Sequence, residues 1–188
     1  MPAPLLYAQS GQINAIVPFE IDQAQTCLVT IQIKRNGESA PALDVRCGLN
    51  DPDVFTLSGQ PGTQGAILNQ DGTLNSPAHP AKLGSIVSLF ATGMGALTPP
   101  GIDGQISPIP PPWITLAGPV TVALAGISYT DKVVWAGAAP TLVAGVTQVN
   151  VQIPRSLPPG TSLYAVPVSI GPSIDGPFSA PVLVSVAP

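Results

Sequence analysis

Charged and aromatic residues are scarce in this 188-residue chain, and long apolar runs are missing. Charged residues make up 9% of the sequence and aromatic residues 5%, whereas about 25% charge is usual for soluble domains. Six Lys and Arg against ten Asp and Glu leave a net charge of −4, so the basic face that nucleic-acid binding requires is lacking. No apolar run is long enough to span a bilayer. We therefore expect neither a nucleic-acid partner nor a membrane span.

Proline and glycine are abundant, with 24 and 19 residues, yet a hydrophobic content of 45% argues against disorder. Disordered chains lack the apolar surface that offsets the entropy of ordering. The apolar residues form short runs such as LVTIQI, SIVSLF, VNVQI and PVLVSV, and turn-forming residues separate most of them. This pattern is typical of a β-sandwich or barrel, and no stretch shows a clean helical period. The sequence predicts an all-β protein.

Two cysteines allow one internal pairing, between Cys27 and Cys47. A hairpin that turns at residues 36–38 places Cys47 opposite Cys27 and Val45 opposite Val29. Directly opposed residues of an antiparallel pair lie within reach of a disulfide, and a disulfide would fit an oxidising compartment. The alternative is a pair of small buried apolar residues in a reducing compartment.

An internal repeat relates the two ends of the chain, because PLLYAQSGQINAIVP at 4–18 aligns without gaps to PTLVAGVTQVNVQIP at 140–154. Identical positions include Leu6, Ala8, Gln12 and Asn14, which match Leu142, Ala144, Gln148 and Asn150. The repeated amides could contact a ligand in each copy. Alternatively they are structural and hydrogen-bond loop backbone at equivalent corners of two sandwiches. Repetition in both copies favours the structural interpretation.

The repeat predicts two immunoglobulin-like sandwiches, one partial and one complete. We expect a partial unit at 1–57 that contains only its last strands, and a complete sandwich at 84–188. A bridging segment at 58–83 joins them and contains a small hairpin that turns on Asp71-Gly72. The missing opening strands have three explanations: an excised piece, completion by a neighbouring domain, or donation by another subunit. No signal peptide is recognisable, so we expect any export signal to lie upstream of Met1.

Three motifs match one known family in order: APLLYAQSGQINAIVPFE, GTQGAILNQDGTLNSPAHPAKLGSIVSLFATGMG and WAGAAPTLVAGVTQVNVQIP. With them the chain resembles the uncharacterised, Solibacter-type C-terminal domain family of acidobacterial secreted proteins. The two halves are similar to IPT/TIG immunoglobulin-like units. The resemblance implies an extracellular or cell-surface location and an accessory role, and it implies no catalytic residues. The chain departs from the family pattern because it starts inside the first unit.

Candidate metal ligands are Asn69, Asp71 and Asn75 in NQDGTLN, where oxygen-bearing side chains have a spacing similar to that of a calcium loop. The segment lacks the closing acidic residue of an EF-hand. A tight turn at Asp71-Gly72 explains the same residues without a metal. We therefore expect no cofactor and keep Ca²⁺ as a weak hypothesis for calorimetry.

Aromatic and nucleophilic chemistry has few candidates. Trp113, in the loop PIPPPWITL, is the one aromatic that we expect to be exposed, as a glycan-binding residue would be. Trp135 and Tyr129 fall in predicted strands and are expected in the core. The only histidine, His79, lies between two prolines in a predicted loop, so no base is placed to activate a nucleophile.

We therefore expect a non-catalytic extracellular module that works through its faces and strand edges. Its partner would be another protein, a neighbouring domain or a second copy, as in surface display, adhesion or a filament built by strand complementation. The alternative is a carbohydrate-binding accessory module of a larger secreted enzyme that uses Trp113. A hydrolase is the third hypothesis, and it lacks a base.

Overall fold

The computed structural model describes residues 1–21, 27–109, 113–173 and 176–188, and it describes only the backbone of Cys27. These residues form strands, turns and loops, which confirms the all-β prediction. No helix in them is long and apolar enough to cross a membrane. The chain divides into a first unit, Met1–Leu49, and a second unit, Asn50–Pro188.

The described part of the first unit forms three separate two-stranded antiparallel sheets. Its strands are β1 (Leu5–Gln9), β2 (Gln12–Ala15), β3 (Cys27–Ile31), β4 (Lys34–Arg35), β5 (Glu38–Ser39) and β6 (Leu43–Cys47). Strand β1 pairs with β2, β3 with β6 and β4 with β5. Asn36 and Gly37 join β4 to β5 with φ angles of 51° and 86°, because a two-residue hairpin turn needs positive φ and Asn-Gly adopts it readily. The predicted turn at 36–38 is confirmed.

The described part of the second unit contains thirteen strands, of which eleven form two main sheets and two form a separate pair. They are β7 (Asp53–Val54), β8 (Ile67–Asn69), β9 (Ala81–Lys82), β10 (Ile86–Thr92), β11 (Leu97–Thr98), β12 (Thr115–Leu116), β13 (Thr121–Leu124), β14 (Ile127–Tyr129), β15 (Val133–Ala138), β16 (Thr147–Gln152), β17 (Val166–Gly171), β18 (Val182–Val184) and β19 (Val186–Ala187). One sheet has the order β11-β12-β15-β16-β10-β7, and β8 also pairs with β10. The other has the order β14-β13-β17-β18, while β9 and β19 form a short parallel pair.

One core lies between the two main sheets of the second unit. Val149 and Val151 of β16 and Val122 and Leu124 of β13 are all fully buried in it. Burial alternates along β16, since every second residue of a strand points to the same face. Two sheets packed on a shared apolar core make this unit a β-sandwich. The immunoglobulin-like topology stays a prediction.

The bridging segment that we expected at 58–83 belongs to the second sandwich, so the predicted boundaries at 57 and 84 differ from the observed one after Leu49. Strands β7 and β8 both pair with β10, and β9 pairs with β19. The physical reason is edge protection: without β7 and β8, β10 would present an unpaired edge to solvent. The small hairpin predicted at Asp71-Gly72 is confirmed, with Gly72 at φ 81°.

Gly93 marks a close approach between two backbone segments of the second unit. The amide of Asp51 donates to the carbonyl oxygen of Gly93 at 2.9 Å. Gly93 has a φ of +69°, and a Cβ added there would overlap the carbonyl oxygen of Asp51. Only glycine combines positive φ with the absence of a side chain, so this position holds the start of the unit against the end of β10.

Candidate functional site

The repeated polar residues form the same hydrogen bond in both units. Gln12 Nε2 donates to Asn14 Oδ1 at 2.8 Å, and Gln148 Nε2 donates to Asn150 Oδ1 at 2.8 Å. Residues two apart on a strand share a face, so the spacing brings each pair together. The bond runs between two side chains of one strand, not to loop backbone as we expected. We call each pair a Gln–Asn clamp.

The clamp of the second unit has a third member on the neighbouring strand. Ser88 lies directly opposite Asn150 in the β10–β16 pair, and its Oγ donates to Asn150 Oδ1 at 2.9 Å. Gln148 and Ser88 therefore both donate to one amide oxygen, which has two lone pairs. In the first unit, the residue opposite Asn14 in the described structure is Tyr7 of β1, and no described strand lies on the other side of Asn14, where Ser88 lies beside Asn150.

Strand β1 lies on the same edge of β2 that β15 occupies on β16. In the first unit, Ile16 N donates to Pro4 O at 2.9 Å, and at the matching position Gln152 N donates to Lys132 O at 2.8 Å. Successive amides of a strand point to opposite edges. The matching direction of these two bonds therefore identifies β1 as the counterpart of β15.

A bulge at the same point supports this equivalence. The register skips one residue between Leu5 and Tyr7 on β1 and between Val133 and Trp135 on β15. Each bulge lies opposite two consecutive residues of its partner strand, and these residues occupy matching positions in β2 and β16. Tyr7 is thus the structural counterpart of Trp135.

The ungapped alignment is therefore wrong on the N-terminal side of the turn. Leu6 and Ala8 correspond to Val134 and Ala136, not to residues 142 and 144. The second unit places a longer connection between β15 and β16, whereas β1 and β2 are separated only by Ser10-Gly11. The alignment of residues 12–18 with 148–154 holds.

The other edge of β2 is open in the described part of the first unit. On the second unit, this edge carries β10, which pairs with β16 along its whole length, and Ile153 N donates to Ser85 O at 2.9 Å. Among the described residues, β2 pairs with β1 alone. We call this the open edge of β2.

Apolar residues beside the open edge are exposed. Ile13 and Val17 are 42% and 69% exposed, whereas their counterparts Val149 and Ile153 are 0% and 1% exposed. Pro18 is the only buried residue among the described side chains of the first unit. The same sequence pattern is therefore a core strand in one unit and a surface strand in the other.

Strands β3 and β6 adopt the predicted register, with Cys27 opposite Cys47 and Val29 opposite Val45. The backbone arrangement expected for the cysteine pair is thus confirmed. The side chain of Cys27 lies outside the described residues, so the disulfide stays a prediction.

Asn75, a candidate metal ligand, is fully buried and is the centre of a hydrogen-bond network. Its Nδ2 donates to Asn69 Oδ1 at 2.8 Å and to Ser185 O at 2.9 Å. Its Oδ1 accepts from Gln64 Nε2 at 3.0 Å and from Ser185 N at 2.8 Å. Protein donors therefore occupy the amide oxygens that a cation would need, and the network ties the turn after β8 to the end of β18.

Asp71 belongs to the turn itself. Its Oδ1 accepts from Thr73 Oγ1 at 2.6 Å and from Thr73 N at 3.0 Å. These two bonds lower the pKa of the Asp71 carboxyl below its ordinary value of 3.8. The described residues hold no group of three or more His, Cys, Asp and Glu side chains placed for a metal. The turn accounts for this motif, and the calcium hypothesis stays a prediction.

Trp113 is half exposed, at 50%, as predicted. Its Nε1 donates to Ile109 O at 2.9 Å, and its ring packs edge to face on Trp135 with centroids 6.1 Å apart. Trp135 and Tyr129, both expected in the core, are half-buried. Tyr129 packs against the hydrophobic core of the second unit.

The expectation that Trp113 is the one exposed aromatic is wrong, because Tyr164, Tyr7 and Phe55 are 66%, 42% and 42% exposed. Tyr164 lies in the turn just before β17.

His79 is exposed and takes part in a turn. Its backbone amide donates to Ser76 O at 3.0 Å, and its carbonyl oxygen accepts from Asn69 Nδ2 at 2.8 Å. Its role in this turn comes from its backbone.

Comparison with known proteins finds no family model, curated protein or solved structure that matches the chain. The family resemblance therefore stays a prediction, and the open edge of β2 and its clamp carry the functional interpretation.

Proposed function

We propose that the chain is a non-catalytic extracellular interaction module whose first unit accepts a β-strand from a protein partner. One observation supports this most: Ile13 and Val17 are exposed beside the open edge of β2, while their counterparts in the second unit are buried in the core between its two sheets. Open strand edges with apolar faces pair with added strands, and exposed apolar patches mark interaction sites. The predicted Cys27–Cys47 disulfide fits an extracellular compartment.

Energetics favour an added strand. Isolated two-stranded sheets are marginally stable in water, and the described part of the first unit consists of three such sheets. Full burial of a Val or Ile side chain stabilises by about 1.5–3 kcal/mol, so a partner that buried all of the exposed surface of Ile13 and Val17 would contribute about 2–3 kcal/mol. Main-chain hydrogen bonds along the open edge add to this.

Hydrogen exchange of the full chain, shown to be monomeric by sedimentation, tests the proposal. We expect weak protection of amides in β2 and β3 and strong protection in β16 and β17, since an unfilled acceptor opens easily. A monomeric chain whose first unit is protected as strongly as its second would contradict the proposal, because a finished domain has no vacancy for a partner strand.

A carbohydrate-binding accessory role is the second candidate, and the half-exposed ring of Trp113 favours it. Aromatic faces of this kind stack on sugars. Glycan-array screening of the wild type and of Trp113→Ala tests it, with Tyr164→Ala as the matched control for loss of an exposed aromatic. Binding that Trp113→Ala abolishes and Tyr164→Ala retains would support this role.

A further inference from the structure

We infer that the accepted strand runs antiparallel to β2 in the place of β10 and carries a Ser or Thr opposite Asn14, with an apolar residue on each side. This inference rests on the proposed function and names the chemistry of its partner. It follows from the second unit, where the same clamp is occupied by a neighbouring strand.

Backbone hydrogen bonding determines the edge, and the antiparallel pairing of β10 with β16 supplies the direction. Ile16 N is used by β1 through Pro4 O, so Val17 N points to the open edge. Its counterpart Ile153 N donates to Ser85 O, the residue just before β10. An incoming strand antiparallel to β2 places a carbonyl oxygen at this position and satisfies Val17 N.

The register of β10 on β16 determines the side-chain pattern. Val87, Ser88 and Leu89 lie opposite Val151, Asn150 and Val149. Val87 and Leu89 are 2% and 0% exposed, so both point into the core. Their equivalents on an incoming strand would lie opposite Ala15 and Ile13 and pack beside them on the exposed apolar face.

The Gln–Asn clamp of the first unit favours a residue with a hydroxyl group on the incoming strand. Asn14 Oδ1 accepts one hydrogen bond from Gln12, and an amide oxygen has two lone pairs. In the second unit, Ser88 donates to the remaining lone pair of the equivalent oxygen. A carboxylate opposite Asn14 could only accept and would face the amide oxygen with like partial charge, whereas a hydroxyl completes the network.

The occupant is a segment of a different protein rather than a second copy of this chain. Strand β10 already pairs with β16 on one edge and with β7 and β8 on the other, and Leu89 is fully buried. Its release would dismantle a finished sandwich. An extended partner segment with the pattern apolar–Ser/Thr–apolar and little charge fits the open edge without that loss.

A peptide of residues 84–93, GSIVSLFATG, is the probe, because it reproduces the strand that fills this place in the second unit. The peptide carries a fluorophore at its N-terminus and is titrated into the full 188-residue chain by fluorescence anisotropy. We expect saturable binding, with new hydrogen-exchange protection at Val17. Ser88→Ala in the peptide should weaken binding by about 3–10-fold, as loss of one neutral hydrogen bond does.

A double-mutant cycle makes the test specific. Asn14→Ala in the chain should weaken the wild-type peptide by the same factor and make Ser88→Ala in the peptide silent. Asn150→Ala is the matched control: it removes the same residue type from the occupied clamp and should leave peptide affinity unchanged. Circular dichroism checks that each variant folds.

Three results would overturn the inference: no saturable binding, independent effects of Asn14→Ala and Ser88→Ala, or protection that appears in the second unit. The proposed function is judged separately. A first unit that exchanges freely while the peptide fails to bind leaves the acceptor proposal standing and rejects this partner chemistry. A first unit as protected as the second rejects both.

Discussion

Replacing Asn75 with Ala would remove a fully buried amide that makes four side-chain hydrogen bonds. Two of these bonds go to the backbone of Ser185, its N–H and its C=O, and Ser185 is itself fully buried. The other two go to Gln64 and Asn69, which are half-buried. The substitution therefore removes hydrogen bonds to two side chains that water can reach and to one residue that water cannot reach.

The magnitude follows from this difference. Ser185 O keeps the hydrogen bond from Ala81 N at 2.9 Å, so only Ser185 N loses its partner. A buried donor left unpaired costs about 1–3 kcal/mol. Water replaces Asn75 at Gln64 and Asn69 at little cost. We expect a loss of about 2 kcal/mol in the free energy of unfolding of the second unit.

Urea unfolding measured by tryptophan fluorescence reports on this unit alone, because both tryptophans lie in it. With an m-value of about 2 kcal/mol per molar, the midpoint should fall by about 1 M. Asn69→Ala is the matched control, since it loses hydrogen bonds in the same network where solvent can replace them, and it should cost about 1 kcal/mol or less. Equal losses in the two variants, or a loss below about 1 kcal/mol in Asn75→Ala, would refute the assigned role.

Asn75→Asp adds a pH test of the same network. The ionised carboxylate would face Ser185 O and Asn69 Oδ1, where the wild-type amide donates, and burial also disfavours its charge. Both effects raise the pKa of the introduced carboxyl in the folded state above its unfolded value of about 3.9. Stability should therefore be greatest below pH 4 and fall as pH rises through the raised value. A variant whose stability is independent of pH between 3 and 8, relative to wild type, would contradict this orientation of the amide.

Three further predictions concern other parts of the chain. Gly93→Ala should lower the free energy of unfolding in urea by at least about 2 kcal/mol, because the new Cβ would overlap a backbone oxygen. Gly72→Ala, with open space around it, should show only the cost of positive φ, about 1–2 kcal/mol. Equal effects would argue against the close approach at Gly93. Thiol titration in denaturant without reductant should find no reactive thiol, and Cys47→Ser should destabilise the first unit by about 3 kcal/mol; a freely titrating wild type would exclude the disulfide. The pKa of the Asp71 carboxyl, measured by NMR, should lie below 3.8 and should move towards that value in Thr73→Val. Because the folded pKa is lowered, the contribution of Asp71 to stability is present above pH 3.8 and is lost as pH falls through the folded value. An unchanged pKa in the variant would refute the hydrogen bond to the hydroxyl.

Local signals were sufficient for several features of the fold. The short apolar runs separated by turn-forming residues predicted strands, and Asn36-Gly37 predicted the hairpin that sets Cys27 opposite Cys47. These predictions succeed because turn type and strand register depend on neighbouring residues. The identical spacing of Gln12 and Asn14 also predicted a repeated structural role, since residues two apart on a strand always share a face.

Long-range pairing was not recoverable in the same way. Gapless matching equated Ala8 with Ala144, but the structure equates it with Ala136, because connections of different length separate paired strands in the two units. The candidate calcium ligand Asn75 is saturated by Ser185, which lies 110 residues further along the chain. Sequence spacing around Asn75 carries no information about that partner.

The all-β class, the cysteine register and the presence of two related units were predictable from the sequence, because apolar runs, turn residues and repetition are local properties of the chain. The three-dimensional arrangement was needed to show that β1 takes the place of β15, that the segment before residue 84 completes the second sandwich, and that the other edge of β2 is open among the described residues. Backbone amides alternate between the two edges of a strand, and the sequence pattern does not name the partners that occupy each edge.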